Sequence, residues 1–205
     1  SVVVEQTQKE ILIMGTHIKD IFTKLDNVLA GREKIDNQVG KIEKLEDTLD
    51  LFQKEISDVN FHILSKTLDY TNAEDTRENL QTCDEYETVS DYLLRIAKTM
   101  KKMQDNGIEL SEYKRATLNE LHNNVEELFD DINRAYELRD RDLFMATIKK
   151  CNFIKEEYKR ARAEHLEHVS ENIMPAMLST GYMDILNNYR RIKDHLYNIV
   201  EVFAK

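Results

Sequence analysis

An internal repeat is the feature that most constrains the fold of this chain. Residues 86–96 recur as residues 189–199, with tyrosine, aspartate, leucine and isoleucine at matching positions. A repeat about half as long as the chain predicts two copies of one structural unit. The copies differ in their charged residues, so we expect them to differ in what they bind.

Composition favours helices in both copies. Among 205 residues there are one proline, five glycines and no tryptophan, and 33% of the residues are charged. The turn residues that strands and hairpins require are therefore nearly absent. The net charge of −10 repels nucleic acid and anionic lipid, and we expect no nucleic-acid partner. Cys83 and Cys151 are too few for a disulfide framework or a thiolate metal site.

Apolar spacing predicts six helices in two sets of three. The helices of the first set end at Gly31, near residue 66 and at the turn 105–107. In the second set, Ser111 caps the fourth helix, the fifth covers about 141–172 and the sixth continues to the C-terminus. We therefore predict an all-α fold of two antiparallel three-helix bundles, residues 1–106 and 107–205, which are related by the repeat and together form one domain.

Two pairs of acids predict a cation site in the first bundle. Glu46 and Asp50 stand one helical turn apart, as do Glu87 and Asp91, so each pair projects from one face of its helix. On neighbouring antiparallel helices the four carboxylates would converge, and a hard cation offsets their repulsion. A solvated acidic face explains the same spacing, because acid pairs are common in a chain with 39 acidic residues.

Other chemistry has less support in the sequence. Glu164, His165, Glu167 and His168 form a competing metal-ligand cluster, but it lacks the Glu-x-x-His and His-Glu-x-x-His spacings of bundle and zinc sites. We interpret these four residues as solvated helix surface. There is no nucleophile elbow and no phosphate-binding glycine loop, so we expect no enzyme.

The acid motifs resemble those of the PhoU domain, whose fold is two three-helix bundles related by an internal repeat. The segment 87–91 is similar to that family's Glu/Asp-x-x-x-Asp motif, and the segment 46–50 is similar to its partner motif on the neighbouring helix. The second repeat departs from the pattern. It has Arg190 where an acid belongs and retains Asp194, and its partner stretch falls near Cys151 to Lys155, with no acid at either end.

The resemblance implies a regulator of phosphate uptake that binds a divalent metal or iron through the acidic motifs. A related group carries this domain as the cytoplasmic C-terminal part of a Na⁺/phosphate cotransporter. We expect this chain to belong to that group, because its second motif is degenerate and its first residues, Ser1 to Val4, look like a cut edge. It would then act at the inner face of the membrane on the transporter portion of its own chain or on another phosphate transporter, and it could form a homodimer.

Two alternatives remain open at this point: a free-standing phosphate-uptake regulator and a metal-free helical scaffold for protein contacts. A metalloenzyme ranks third. In the second bundle, Lys155, Arg190, Arg191 and Lys193 could hold an anion or an acidic partner surface, although a solvated basic face accounts for them better.

Overall fold

A computed structural model describes residues 1–66, 70–171 and 174–205, and within these ranges the fold is helical without a β-strand. The helices are α1 (Val2–Leu29), α2 (Val39–Lys66), α3 (Tyr70–Asp105), α4 (Glu112–Leu138), α5 (Arg141–Ala146), α6 (Ile148–Glu171) and α7 (Ala176–Phe203), with a short 3-10 turn at Ile35–Asn37 before α2. The all-α helical bundle that the sequence predicts is confirmed.

Local signals fix several helix ends as the sequence predicts. Gly31 follows α1 with a φ of 79°, and Gly107 has a φ of 68° in the turn between α3 and α4; both values lie in the left-handed region that glycine adopts at low cost. The Ser111 hydroxyl accepts a hydrogen bond from the Lys114 amide and so caps α4.

The predicted fifth helix is divided in two. Thr147 separates α5 from α6, and its hydroxyl donates to the carbonyl oxygen of Phe144 at 2.7 Å. A side-chain bond of this kind competes with the regular helical pattern. The predicted end of this helix, Asn172, lies outside the described residues.

One hydrophobic core runs through both halves of the chain. Helices α1, α2 and α3 pack together, as do α4, α6 and α7, and the two sets meet where α3 packs along α7 and α1 packs on α4. The buried apolar residues form one continuous cluster that draws on both sets. The predicted boundary after residue 106 falls in the turn between α3 and α4, and the division of the chain into two bundles at this point stays a prediction.

The repeated tyrosines anchor the central helices to α4. Tyr86 and Tyr189 are fully buried. The Tyr86 hydroxyl donates to Asn133 Oδ1 at 2.7 Å, and the Tyr189 hydroxyl lies 2.7 Å from His122 Nδ1. His122 Nε2 lies 2.8 Å from the Phe22 carbonyl, so this nitrogen carries the proton and Nδ1 accepts from tyrosine. These bonds satisfy polar groups that would otherwise be costly to bury.

Candidate metal centre

Helix α2 brings an acid into its buried face. Ile42 and Leu49 are fully buried, and Glu46 lies between them at helical spacing. The packing of these two residues therefore carries Glu46 inward, and its exposed fraction is only 8%. Asp50 follows one turn later and is half-buried.

Helix α3 brings the second pair to the same place. Tyr86 and Ser90 are buried, and Glu87 and Asp91 each follow one residue later, at the edge of the buried face and half-buried. Because α2 packs against α3, this edge lies against the acids of α2.

The two pairs of predicted ligands lie close enough to influence one another. Besides burial, the charges of Asp50 and Asp91 raise the pKa of both Glu46 and Glu87. In the described part of the chain, however, the carboxylate oxygens that lie within 4.8 Å of one another belong to Glu46, Asp47 and Asp50, all on α2. The structure thus places the α3 pair near this group, and a site shared by all four predicted ligands stays a prediction.

The two glutamates bind protons unusually tightly. Burial raises the pKa of Glu46 to about 7, helped by the neighbouring carboxyl group of Asp50 and by the charges of Asp91 and Asp47. Burial likewise raises the pKa of Glu87 to about 7, again with Asp50 and Asp91 contributing. Near neutral pH, Glu46 and Glu87 are therefore partly protonated, which lowers the negative charge of the cluster.

Asp47 also belongs to the cluster. One carboxylate oxygen from each of Glu46, Asp47 and Asp50 lies within 4.8 Å of the others, and Asp47 is exposed. The charge of Asp47 also contributes to the raised pKa of Glu46. Asp47 is therefore a ligand candidate that the predicted set of four lacks.

Of the four predicted ligands, Asp91 forms an ion pair with a basic side chain. Arg95 Nη2 lies 3.2 Å from Asp91 Oδ2, and both side chains remain accessible to solvent, with exposed fractions of 58% and 40%. Such an exposed pair contributes little to stability. Asp91 can therefore turn an oxygen toward a cation at small cost. Carboxylate oxygens are the ligands that hard cations prefer, so the donor set fits a metal ion of that class.

The second bundle has its own cations at the matching place. Lys193 Nζ lies 2.5 Å from Asp194 Oδ1, and Arg190 Nη1 lies 3.4 Å from Asp194 Oδ2. Burial raises the pKa of the Cys151 thiol to about 11, and the charges of Lys193 and Asp194 act on it as well. Cys151 therefore lies near enough to Asp194 for that charge to act on the thiol, as the charge of Asp91 acts on Glu46.

The basic residues of the second bundle do not form a single patch. Arg190 lies over the Tyr158 ring at 5.5 Å. Arg191 donates across to the Tyr92 hydroxyl on α3 at 3.4 Å, and Lys155 is exposed. Three of the four predicted anion-binding residues are therefore engaged: Arg190 and Lys193 within the second bundle, and Arg191 across to the first.

The histidine cluster of α6 is dispersed in the structure. Within the described ranges, Glu164, His165, Glu167 and His168 do not present a common set of metal-ligand atoms. The expectation that all four are solvated surface is nevertheless wrong for His165, whose exposed fraction is 1%. Its ring packs on Tyr182 at 4.8 Å between centroids.

Among the described residues, no helix has the length and apolar character needed to cross a membrane.

Comparison with known proteins points to one family. The PhoU domain matches residues 118–203, which lie in the repeat whose acid motif is degenerate. A relative from Clostridium acetobutylicum, "Phosphate-specific transport system accessory protein PhoU homolog", is 26% identical over 201 residues, which cover 96% of this chain and 89% of the relative.

Solved structures match over nearly the whole chain. PhoU from Pseudomonas aeruginosa superposes with a TM-score of 0.88 at 18% identity and covers 98% of this chain and 95% of its own. The phosphate transport system regulatory protein PhoU from Streptococcus pneumoniae superposes with a TM-score of 0.85 at 18% identity, over 98% of this chain and 92% of its own. The PhoU domain match thus lies in the second half, the relative is similar over both halves, and the solved structures show that the chain has the fold of PhoU proteins.

Proposed function

We propose that this protein is a PhoU-type accessory regulator of phosphate transport, which acts in the cytoplasm on a transporter formed by other chains. The observation that carries the proposal is the match to a relative named as a transport accessory protein across 96% of this chain. The same match favours the free-standing regulator, one of the alternatives that the sequence leaves open, over a domain of a Na⁺/phosphate cotransporter.

A hard cation bound by the first bundle is the second part of the proposal. Glu46 and Asp50 from α2, with Glu87 and Asp91 from α3, would hold it. Such an ion would supply positive charge that offsets the repulsion between the carboxylates. Without it, Glu46 and Glu87 retain protons up to a pKa of about 7. Because its ligands come from two helices, the ion would join α2 to α3 and stabilise the folded state through its binding.

The regulatory role is tested in cells. Phosphate uptake is measured at low and high external phosphate in a host strain that lacks its own regulator of this type, with and without this chain. We expect the chain to restore the reduction of uptake when phosphate is abundant. Uptake that responds identically in both strains would refute the regulatory role. Light scattering of the purified protein tests the expected homodimer separately.

The metal site is tested by calorimetric titration of metal-free protein with Mn²⁺. We expect Glu87→Gln combined with Asp91→Asn to abolish binding, because these changes remove the charge of two of the four proposed ligands. The same variant, when metal-free, should be at least as stable as the wild type, since like-charge repulsion is relieved.

A matched control exists one turn further along α2. Glu55 and Asp58 are exposed acids, and Glu55→Gln combined with Asp58→Asn removes the same charge from outside the cluster. We expect this variant to bind Mn²⁺ as the wild type does. Equal affinity in all three proteins would mean that the cluster is a solvated acidic face and that Mn²⁺ binds elsewhere. A lack of binding in all three would make the protein a metal-free scaffold.

A further inference from the structure

Lys114, a buried lysine without a carboxylate partner in the described part of the chain, lines an open pocket between the start of α4 and the C-terminal part of α6. The pocket has a volume of about 500 Å³ and is lined by Ser111, Tyr113, Lys114, Glu164 and His168. The exposed fraction of Lys114 is 7%, and no carboxylate in the described part of the chain lies within 4.0 Å of its ammonium group. Buried ammonium groups are normally paired, because an uncompensated charge is costly to remove from water.

The close partners of this ammonium group are neutral. Lys114 Nζ lies 3.0 Å from His165 Nδ1 and 4.4 Å from the centre of the Tyr182 ring. An ammonium group can only donate, so Nδ1 accepts and the ring proton resides on Nε2. Nε2 in turn lies 3.0 Å from the Ser179 carbonyl oxygen, to which it donates. The imidazole is therefore held neutral, in agreement with the lowering of its pKa by burial and by the charge of Lys114.

The surroundings of the pocket favour a negative ligand. Lys114 has three donors and uses one on His165, which leaves donor capacity for a ligand in the pocket. Ser111 caps α4 here, so the positive end of the helix dipole adds to the charge of Lys114. Glu164 is the opposing group: its carboxylate accepts a hydrogen bond from the Tyr113 hydroxyl at 2.7 Å, and its charge partly offsets the lowering of the Lys114 pKa by burial.

We propose that this pocket is an oxyanion site, in which the Lys114 ammonium group and the first turn of α4 bind a phosphate group. Two sources share this chemistry: inorganic phosphate and the phosphate of a small monoester, for which the volume leaves room. The site lies in the second bundle, is built without Glu46, Asp50, Glu87 or Asp91, and does not depend on the regulatory role proposed above.

The test is calorimetric titration of the full chain in EDTA, so that phosphate cannot bind through a metal ion. Inorganic phosphate and glycerol 3-phosphate are titrated in separate arms at constant ionic strength in chloride. We expect Lys114→Met to weaken phosphate binding at least tenfold. Lys149→Met is the control, since Lys149 is an exposed lysine of α6 at least about 20 Å along the helix from Glu164, and it should bind as the wild type does.

A second variant should have the opposite effect. Glu164→Gln retains an oxygen that accepts from Tyr113 but removes the opposing charge, so we expect phosphate to bind about threefold or more tightly. If Lys114 had a purely structural role, phosphate would bind to Glu164→Gln as it does to the wild type. The titration that gives the lower Kd shows whether inorganic phosphate or the monoester is the preferred ligand.

A labelling experiment covers the case in which Lys114→Met does not fold. Wild-type protein is treated with acetic anhydride, and acetylation is measured by mass spectrometry at Lys114 and Lys149, with and without the tighter of the two ligands. We expect protection of Lys114 alone. The site is refuted if neither ligand binds, if Lys114→Met binds as the wild type does, or if Lys114 is not protected.

Discussion

The raised pKa values of Glu46 and Glu87 make the metal-free cluster sensitive to pH. The folded state holds protons with a pKa of about 7, whereas an unfolded glutamate releases its proton near pH 4.3. Between these values the folded state binds more protons than the unfolded state, so the free energy of unfolding decreases as pH rises. The cluster opposes folding most above about pH 7.

This pH dependence can be isolated with one double variant. Melting temperatures are measured from pH 5 to 8 in EDTA for the wild type and for Glu46→Gln combined with Glu87→Gln. We expect the wild type to lose stability relative to the variant as pH rises through this range, because the variant has no glutamate to ionise at these positions. A constant difference would show that the two glutamates titrate normally.

The residues that sequence reasoning misses share a physical cause. His165 and Lys114 have charged neighbours in the sequence, so the local pattern indicates a polar, exposed segment. Their burial depends instead on which helix packs against one face of their own helix. The sequence groups Lys193 with a basic face, yet its ammonium group neutralises the adjacent Asp194. The acid pairs are recoverable from sequence because helical periodicity alone aligns residues one turn apart.

At the scale of elements, the contact between α1 and α4 depends on a glycine. A Cβ atom at Gly15 would lie 2.4 Å from Asn133 Oδ1, and that oxygen is held by the Tyr86 hydroxyl. We expect Gly15→Ala to lower the free energy of unfolding by about 1–3 kcal/mol, since the helices must separate or the buried hydrogen bond must break.

Gly40 provides the matched control for this prediction. It lies within α2, and a Cβ atom there would meet nothing within 4 Å. We expect Gly40→Ala to raise the free energy of unfolding by about 0.5–1 kcal/mol, because alanine loses less backbone entropy in a helix. Urea unfolding measures both changes. Equal effects of the two substitutions would mean that α1 and α4 are not in close contact at Gly15.

The helices themselves could largely be predicted from sequence, for identifiable reasons. Gly31 and Ser111 act within a few residues of their own position, so their effect is visible in the local sequence. The break at Thr147 gives no comparable signal, since a threonine fits a helix interior as well as a helix end. The shared core of the two bundles depends on the pairing of α3 with α7, which the spacing of apolar residues leaves undetermined.

At the scale of the whole molecule, the two bundles are related in sequence but opposite in local charge. The first collects carboxylates, whereas the second supplies Arg190 and Lys193 to Asp194. A fixed ammonium or guanidinium group occupies the place of a cation and needs no metal ion. We therefore expect the cation of the first bundle to be absent from the second.

Restoring a site in the second bundle requires more than returning two acids. Arg190→Glu with Lys155→Asp leaves the Lys193 ammonium group against Asp194, so we expect no second ion in that variant. Adding Cys151→Glu and Lys193→Ser supplies the remaining carboxylate and removes the internal cation, and we expect Mn²⁺ stoichiometry to rise from one site to two. An unchanged stoichiometry in the fourfold variant would show that charge alone does not distinguish the bundles.

The most direct measurement is anomalous diffraction from crystals of the wild-type protein soaked in Mn²⁺. We predict a peak among Glu46, Asp50, Glu87 and Asp91, with none beside Asp194. No peak at the acidic cluster, or a peak of equal height beside Asp194, would contradict the assignment of a cation site to the first bundle alone.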